Sequence, residues 1–150
     1  MVRNADYNQG VTLNIGLLLY IPYRALEDRV FEAVTAAGFT DITMAQSRVF
    51  QRISQHGSRV TELADRAKVT KQTASALVQA LEDAGYVERV PDPTDARASL
   101  VRVASRGAAA TDAARAEIER IEAEWRRELG ASRYDRLVRD LEVLQGLTDA

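Results

Sequence analysis

The chain has 150 residues, enough for one domain or for a domain with a helical extension. Its 20 lysines and arginines and 22 aspartates and glutamates give a formal charge of -2, so the chain as a whole is not a polycation. Any contact with nucleic acid must therefore depend on local charge. The absence of cysteine excludes disulfides and thiol chemistry, and one histidine, His56, leaves little for a metal site or a catalytic relay. We expect neither a cofactor nor a metal.

Hydropathy gives no sign of a membrane segment. The longest apolar run, Ile15 to Ile21, contains Gly16 and ends at Pro22, so it is too short to span a bilayer. The first residues lack the basic start and cleavage site of a signal peptide. We therefore expect a cytoplasmic protein with no membrane partner.

The first third of the chain predicts two helices. Residues Val11 to Ala37 carry apolar side chains at helical spacing, and Pro22 is expected to bend this helix or to mark a junction in it. A second helix opens at Thr43, because Thr43 and Gln46 fit a capping box, and it ends at His56-Gly57-Ser58.

Two further helices follow with a short turn between them. The first covers about Val60 to Arg66, and Thr70 is a good N-cap for a second helix that runs to about Ala84. The second helix has a one-sided apolar stripe made of Ala74, Leu77, Val78 and Leu81. This arrangement predicts a helix-turn-helix whose second helix is the recognition helix.

The next segment predicts a β-hairpin, or wing, and two more helices. Short strand-like runs cover Tyr86 to Val90 and Leu100 to Val103, and the segment Pro91 to Arg97 between them is rich in turn residues. A helix then runs from Gly107 to Leu129. The last helix has a near-heptad stripe made of Leu137, Leu141 and Leu144.

Short motifs occur in a fixed order between residues 60 and 107. They include Glu62-Leu63-Ala64, Val69-Thr70-Lys71-Gln72-Thr73, Gly85-Tyr86-Val87-Glu88-Arg89, Asp92-Pro93, Asp95-x-Arg97 and Gly107. Their order and spacing resemble the MarR family of bacterial transcriptional regulators, and the Asp-Pro-x-Asp-x-Arg wing is the most discriminating part. The resemblance implies a mainly α (α+β) fold. A winged helix-turn-helix at residues 38–107 would then stand on a helical dimerisation region at residues 1–37 and 108–150.

The resemblance also implies a homodimeric, sequence-specific DNA-binding regulator, most simply a repressor on a pseudo-palindromic operator. The outer helices carry more apolar surface than a small winged helix needs, although these stripes can also pack within one subunit. No nucleophile elbow, phosphate loop or metal-ligand spacing indicates an enzyme. Two alternatives stay open: a winged helix that contacts only proteins, and a regulator that responds to no ligand.

A polar face opposite the apolar stripe makes the recognition helix suitable for reading bases. Gln72 can bond to adenine and Lys71 to guanine or phosphate, while Thr70 and Thr73 are placed for phosphate at the helix N-terminus. Thr70 also fits a simple cap, and Gln79 a solvated side chain. The candidate DNA-contacting residues are Thr70, Lys71, Gln72, Thr73, Ser75, Gln79, Arg89, Asp95 and Arg97.

In the wing, the resemblance implies that Arg97 enters the minor groove and that Asp95 orients its guanidinium group. The alternative is an Asp95–Arg97 pair that only ties the hairpin. Arg89 fits either a phosphate contact or a structural ion pair. Arg59 stands where the family commonly has a small polar cap, and we hypothesise that it touches a phosphate.

Many members of the family bind small aromatic or anionic compounds between the dimerisation helices and the DNA-binding lobe. Such an effector releases DNA only if it binds the DNA-incompetent state more tightly. Arg24 could meet a carboxylate, although aromatic side chains at helical spacing also fit a core. The candidate ligand residues are Tyr20, Tyr23, Arg24, Phe31, Phe50 and Trp125.

Overall fold

A computed structural model describes residues 12–149, which form six helices and one two-stranded antiparallel sheet. The predicted winged helix-turn-helix with long flanking helices is confirmed. The elements are α1 (Ile15–Ala36), α2 (Met44–Phe50), α3 (Val60–Ala67), α4 (Lys71–Asp83), β1 (Val87–Asp92), β2 (Asp95–Val103), α5 (Ser105–Leu129) and α6 (Ala131–Thr148).

The first two helices begin at side-chain caps. Asn14 accepts the main-chain N–H of Leu17 at 3.0 Å, and α1 continues unbroken through Pro22. The predicted start of this helix at Val11 lies outside the described residues. The capping box of α2 is confirmed, since the Thr43 hydroxyl accepts the Gln46 N–H at 3.2 Å and the Gln46 side chain accepts the Thr43 N–H at 3.0 Å.

Helix α2 ends at Phe50, earlier than predicted. The chain leaves the helix because Ser58 is drawn into the sheet. Its main chain exchanges two hydrogen bonds with Val101, at 2.9 and 2.8 Å, and its side chain is fully buried. The Ser58 hydroxyl also accepts the main-chain N–H of Ser54 at 2.9 Å, which closes the intervening turn.

The helix-turn-helix has the predicted limits to within one residue. Lys68, between α3 and α4, takes the left-handed conformation (φ 57°), which ends α3. The Thr70 hydroxyl then caps α4 by accepting the Thr73 N–H at 3.1 Å. The two helices bury their facing apolar side chains in one core, among them Leu63, Ala64, Ala74, Val78 and Leu81.

The strands of the wing are longer than predicted. Residues 91–92 and 95–97 belong to the strands, and only Pro93 and Thr94 form the turn. The turn is this tight because Asp92 accepts both the N–H and the hydroxyl of Thr94, at 2.8 and 2.7 Å. The ladder pairs Val87 with Val103 and is irregular only at Pro91/Asp92.

Helix α5 connects the winged domain to α1. It begins at Ser105, before the limit predicted for the helical region, and Ala104 at its N-cap supplies no side-chain hydrogen bond. Farther along, Arg29 of α1 binds Glu117 at 2.8 Å and Glu124 at 2.6 Å. These ion pairs hold α1 against α5.

The N-terminal part of α1 and the whole of α6 present apolar side chains to solvent. Helix α6 has no buried residue, and Ile15 and Leu147 are 69% and 74% exposed. We call this set the apolar face; it comprises Ile15, Leu17, Leu18, Leu19, Tyr20, Ile21, Tyr23, Leu137, Val138, Leu141, Val143, Leu144 and Leu147.

Candidate nucleic-acid interface and adjoining cavity

The recognition helix α4 exposes the polar side chains that the sequence assigned to it. Lys71, Gln72, Thr73 and Ser75 are all exposed, whereas Ala74 and Val78 of the same helix are buried. They occupy the N-terminal half of α4, where the main-chain N–H groups and the helix dipole favour anions. This half of the helix can therefore contact both bases and phosphates.

Several of the candidate residues make hydrogen bonds within the protein. Thr70 caps α4, and its hydroxyl donates to the Thr73 hydroxyl at 2.9 Å. Gln79 donates to Asp83 at 2.9 Å, and Arg89 donates to Glu82 at 2.7 Å. The Arg89 pair ties β1 to α4, which matches the structural alternative for that residue.

Arg97 lies near the tip of the wing and is exposed. Within residues 12–149 its guanidinium group makes no ion pair or hydrogen bond. The Asp95 carboxylate accepts the main-chain N–H of Arg97 at 3.0 Å, so it shapes the strand and does not hold the guanidinium group. Arg97 is therefore an unpaired cation beside the tip of the wing.

Arg59 makes an ion pair that the sequence did not reveal. Its Nε and Nη2 atoms both donate to Oδ2 of Asp92, at 2.9 and 2.7 Å. The Asp92 side chain is only 5% exposed. The main-chain N–H of Thr94, its hydroxyl and the Arg59 guanidinium group together lower the pKa of Asp92 to about 2. No local sequence signal could have found this pair, because 33 residues separate its members.

A cavity of about 340 Å³ lies between α1, α2 and α5. Of the six predicted ligand residues, Tyr23, Phe31 and Phe50 line it, whereas Tyr20, Arg24 and Trp125 do not. Arg24 is instead paired with Glu27 at 2.8 Å, and Tyr20 belongs to the apolar face. Most of the wall is apolar and includes Leu26, Val30, Val34, Ile42, Met44, Ala110, Ala114 and Ile118.

Glu27 and Arg48 are the polar centre of this cavity, and sequence reasoning missed both. Arg48 of α2 donates through Nε and Nη2 to the two oxygens of Glu27, at 3.0 and 2.7 Å. Tyr23 donates to the same carboxylate at 2.8 Å. Hydrogen bonds from Arg48, followed by that from Tyr23, lower the pKa of the buried Glu27. The pair joins the long helix α1 to the helix-turn-helix through α2.

One part of the chain matches a known protein family. Residues 40–98 match the MarR family. The matched part runs from α2 to the start of β2, and this part of the chain is similar to that family. The comparison with curated proteins gives no match.

Solved structures extend the similarity to most of the chain. A MarR family protein of Mycobacterium tuberculosis in complex with salicylic acid is 29% identical, with 89% of this chain and 97% of that chain covered and a TM-score of 0.64. Wild-type MarR of Escherichia coli is 24% identical, with 89% and 98% covered and a TM-score of 0.66. A MepR variant of S. aureus bound to an oligodeoxyribonucleotide is 18% identical, with 91% and 100% covered and a TM-score of 0.57. The last two establish a shared fold. The chain thus has the fold of MarR-family transcriptional regulators.

The winged domain is fastened to α5 by a buried tyrosine. Tyr86 is fully buried and donates to Asp41 at 2.5 Å, while Arg106 lies 4.4 Å above its ring and binds Asp41 at 2.9 Å. Burial and the neighbouring carboxylate raise the pKa of Tyr86 to about 12. Hydrogen bonds from Arg106, then from Tyr86, lower the pKa of Asp41. This cluster fixes the start of α5 relative to the recognition helix.

Residues 12–149 contain no group of three or more acidic or histidine side chains placed to hold a metal ion. Among the helices of the same residues, none combines the length and the apolar character needed to cross a membrane.

Proposed function

We propose that this protein is a homodimeric, sequence-specific DNA-binding regulator. It would act as a repressor that a small aromatic or anionic ligand releases from a pseudo-palindromic operator. The observation that carries the proposal is the pairing of two exposed features: the polar N-terminal half of α4 and the free Arg97 on the wing.

DNA contact accounts for the distribution of free polar groups. Most cations of this lobe are paired internally, as Arg59, Arg89 and Arg102 are with Asp92, Glu82 and Glu88. Within residues 12–149 Lys71 and Arg97 make no such ion pair, and they lie on the two parts of a winged helix that enter the grooves. The similar fold of MepR bound to an oligodeoxyribonucleotide supports this assignment.

The apolar face supports a dimer. A run of exposed leucines along α6 and the start of α1 is larger than a solvated monomer surface normally offers. A second copy covers both patches at once through a two-fold axis, and it places two recognition helices on successive major grooves. Two recognition helices supply the specificity that one lacks.

The cavity supports a compact, mainly apolar effector. Its walls suit an aromatic ring, and the M. tuberculosis relative was solved with salicylic acid. Glu27 already neutralises Arg48, so a carboxylate ligand must compete with Glu27 for that guanidinium group. Such competition would loosen the link between α1 and α2 and would favour a state in which the two lobes of the dimer no longer fit the operator.

The DNA-binding proposal is tested with duplexes from the region upstream of the protein's own gene. We expect tight binding to one duplex, with log affinity falling steeply against log salt concentration as phosphates are released. Arg97→Ala should weaken binding, whereas Arg120→Ala, which removes the same charge from an exposed site on α5, should not. Equal, weak binding to every duplex would favour the protein-interaction alternative.

The dimer and the effector need separate measurements. Sedimentation should show a dimer, and Leu141→Glu should convert it to a monomer, whereas Arg139→Glu on the same helix should leave it dimeric. For the effector, salicylate and a panel of uncharged phenols are compared by thermal shift and by DNA release. Glu27→Gln should strengthen salicylate binding more than phenol binding. If no compound in the panel releases DNA, the ligand-independent regulator is favoured.

A further inference from the structure

The tip of the wing is tied to the start of α3 by one buried ion pair. Asp92 is the only buried residue from Pro91 to Arg97; the others project into solvent. Its Oδ1 atom closes the hairpin turn by accepting from Thr94, and its Oδ2 atom takes both donors of Arg59. The Asp92 carboxylate therefore both closes the turn and links the tip to Arg59 at the start of α3.

Little else in the described chain restrains the tip. An isolated two-stranded hairpin is only marginally stable, and this one is anchored near its base by the Ser58–Val101 bridge. Arg59 follows Ser58 directly, and its side chain extends along the hairpin to Asp92. Because α3 packs against α4 through buried Leu63 and Ala64, a tip held to α3 is also held at a set distance from the recognition helix.

We propose that Arg59 is a positioning residue for DNA binding: by holding Asp92 it sets where Arg97 meets the minor groove, and it does not itself bind a phosphate. This inference rests on the DNA-binding function proposed above. It replaces the hypothesis, drawn from sequence, that Arg59 touches the DNA backbone.

The geometry argues against a direct phosphate contact. Both Nε and Nη2 of Arg59 are committed to Asp92, and Asp95 lies 4.0 Å from the same guanidinium group. A phosphate would have to draw Arg59 away from a carboxylate that is only 5% exposed. A buried carboxylate without its cation is strongly unfavourable, so the pair should persist when DNA binds.

The test combines two ways of breaking the pair with a variant of the residue that it positions. Arg59→Gln removes the cation, and Asp92→Asn removes the charge of its partner while leaving an oxygen for Thr94. Each is measured alone and in the Arg97→Ala background, against the best operator duplex. We expect each single variant to weaken binding about tenfold, the size of one lost charge-assisted contact. In the Arg97→Ala background neither should weaken it further.

Footprinting separates positioning from loss of structure. Hydroxyl-radical protection of the minor groove should fade in Arg59→Gln, while methylation protection of guanines in the major groove should persist. Melting temperatures identify any variant that fails to fold. If Arg59→Gln fails to fold, the milder variant Arg59→Lys is measured in its place.

The opposite pattern would overturn the inference. If Arg59→Gln weakened binding equally with and without Arg97, while Asp92→Asn bound as tightly as the wild type, Arg59 would be a direct phosphate ligand. A wild-type protein that bound no duplex at low salt would instead refute the proposed function itself, so the two failures are distinct.

Discussion

Gly107, in the first turn of α5, lies where this helix meets the winged domain, and we predict that Gly107→Ala destabilises the protein. A Cβ atom at this position would lie 2.2 Å from the main-chain oxygen of Tyr86, 2.9 Å from the Phe50 ring and 3.0 Å from a methyl group of Val103. The first neighbour is backbone and cannot rotate away. That oxygen also accepts the N–H of Ala104 at 3.0 Å, which fixes it further.

The expected loss follows from these distances. Helix α5 and the Tyr86 carbonyl would have to separate by about 1.2 Å to reach an ordinary contact of 3.4 Å. Overpacking of this kind typically lowers the free energy of unfolding by about 1–3 kcal/mol. The better helix propensity of alanine offsets up to ~1 kcal/mol of it. Because the clash is with fixed backbone, we expect a net loss of about 1–2 kcal/mol, which lowers the melting temperature by roughly 2–8 °C.

Urea unfolding followed by the fluorescence of Trp125 measures this loss. Gly146→Ala is the matched control, because a Cβ atom there meets nothing within 4 Å. The control should be as stable as the wild type or slightly more stable. If Gly107→Ala were as stable as Gly146→Ala, the close approach of α5 to the domain would be wrong. Since this contact also fixes the position of the recognition helix relative to α5, we expect Gly107→Ala to bind operator DNA more weakly.

Three further predictions follow from single side chains. Tyr86→Phe removes the hydrogen bond to Asp41 and should lower the free energy of unfolding by about 1–2 kcal/mol in urea titrations. In the wild type, the stability contributed by the neutral Tyr86 hydroxyl is complete below pH 10 and lost as the pH rises towards 12, and this loss should be absent from Tyr86→Phe. Asp92 has its pKa lowered from 3.8 to about 2, so its stability contribution is present above pH 4 and lost as the pH falls through 2; acid titration of Asp92→Asn should lack that step. Gln72→Ala should relax base preference at one operator position and weaken the free energy of binding by about 1–3 kcal/mol. An equal loss on every DNA sequence would instead indicate that Gln72 contacts the DNA backbone.

The helix-turn-helix could be predicted from sequence because its signals are local. A cap at Thr70, a one-sided apolar stripe and Gly85 lie within 16 residues, and each acts on the helix that contains it. The capping box at Thr43 was predictable for the same reason. Propensity and burial agree at these positions, so tertiary structure had nothing to override.

The limits of the wing could not be predicted, because its composition misleads. The segment from Pro91 to Arg97 has the residues of a long loop, yet most of it belongs to the two strands. Asp92 compresses the turn to two residues, and the strength of that turn depends on Arg59 far away in sequence. Only the folded chain brings the two together.

The sequence indicated where the cavity lies but not which charged residues line it. Tyr23 and Phe31, which aromatic spacing on α1 indicated, both line the cavity, and their contact with a ligand stays a prediction. The charged residue of the same helix that the sequence indicated, Arg24, does not line the cavity but pairs with Glu27, and the cations in the wall are Arg48 of α2 and Arg115 of α5. Periodicity reports which residues share a face of one helix, but it says nothing of what another helix brings to that face.

Two of the joints that hold the winged domain to the helical frame differ in chemistry, and this difference predicts different responses to a ligand. The joint at Gly107 is close-packed backbone, so it moves only at a large energetic penalty. The joint between Glu27 and Arg48 is made of hydrogen bonds inside the cavity, and a carboxylate ligand can take the place of Glu27 as the acceptor from Arg48. We therefore expect effector binding to change the second joint and to leave the first intact. Tyrosine-selective NMR can follow this, because Tyr23 binds Glu27 and Tyr86 lies against Gly107. Salicylate should shift the ring signals of Tyr23 and leave those of Tyr86 in place. If only the Tyr86 signals moved, the joint at Gly107 would be the one that changes, with the Glu27–Arg48 joint as the pivot, and the reasoning would be wrong.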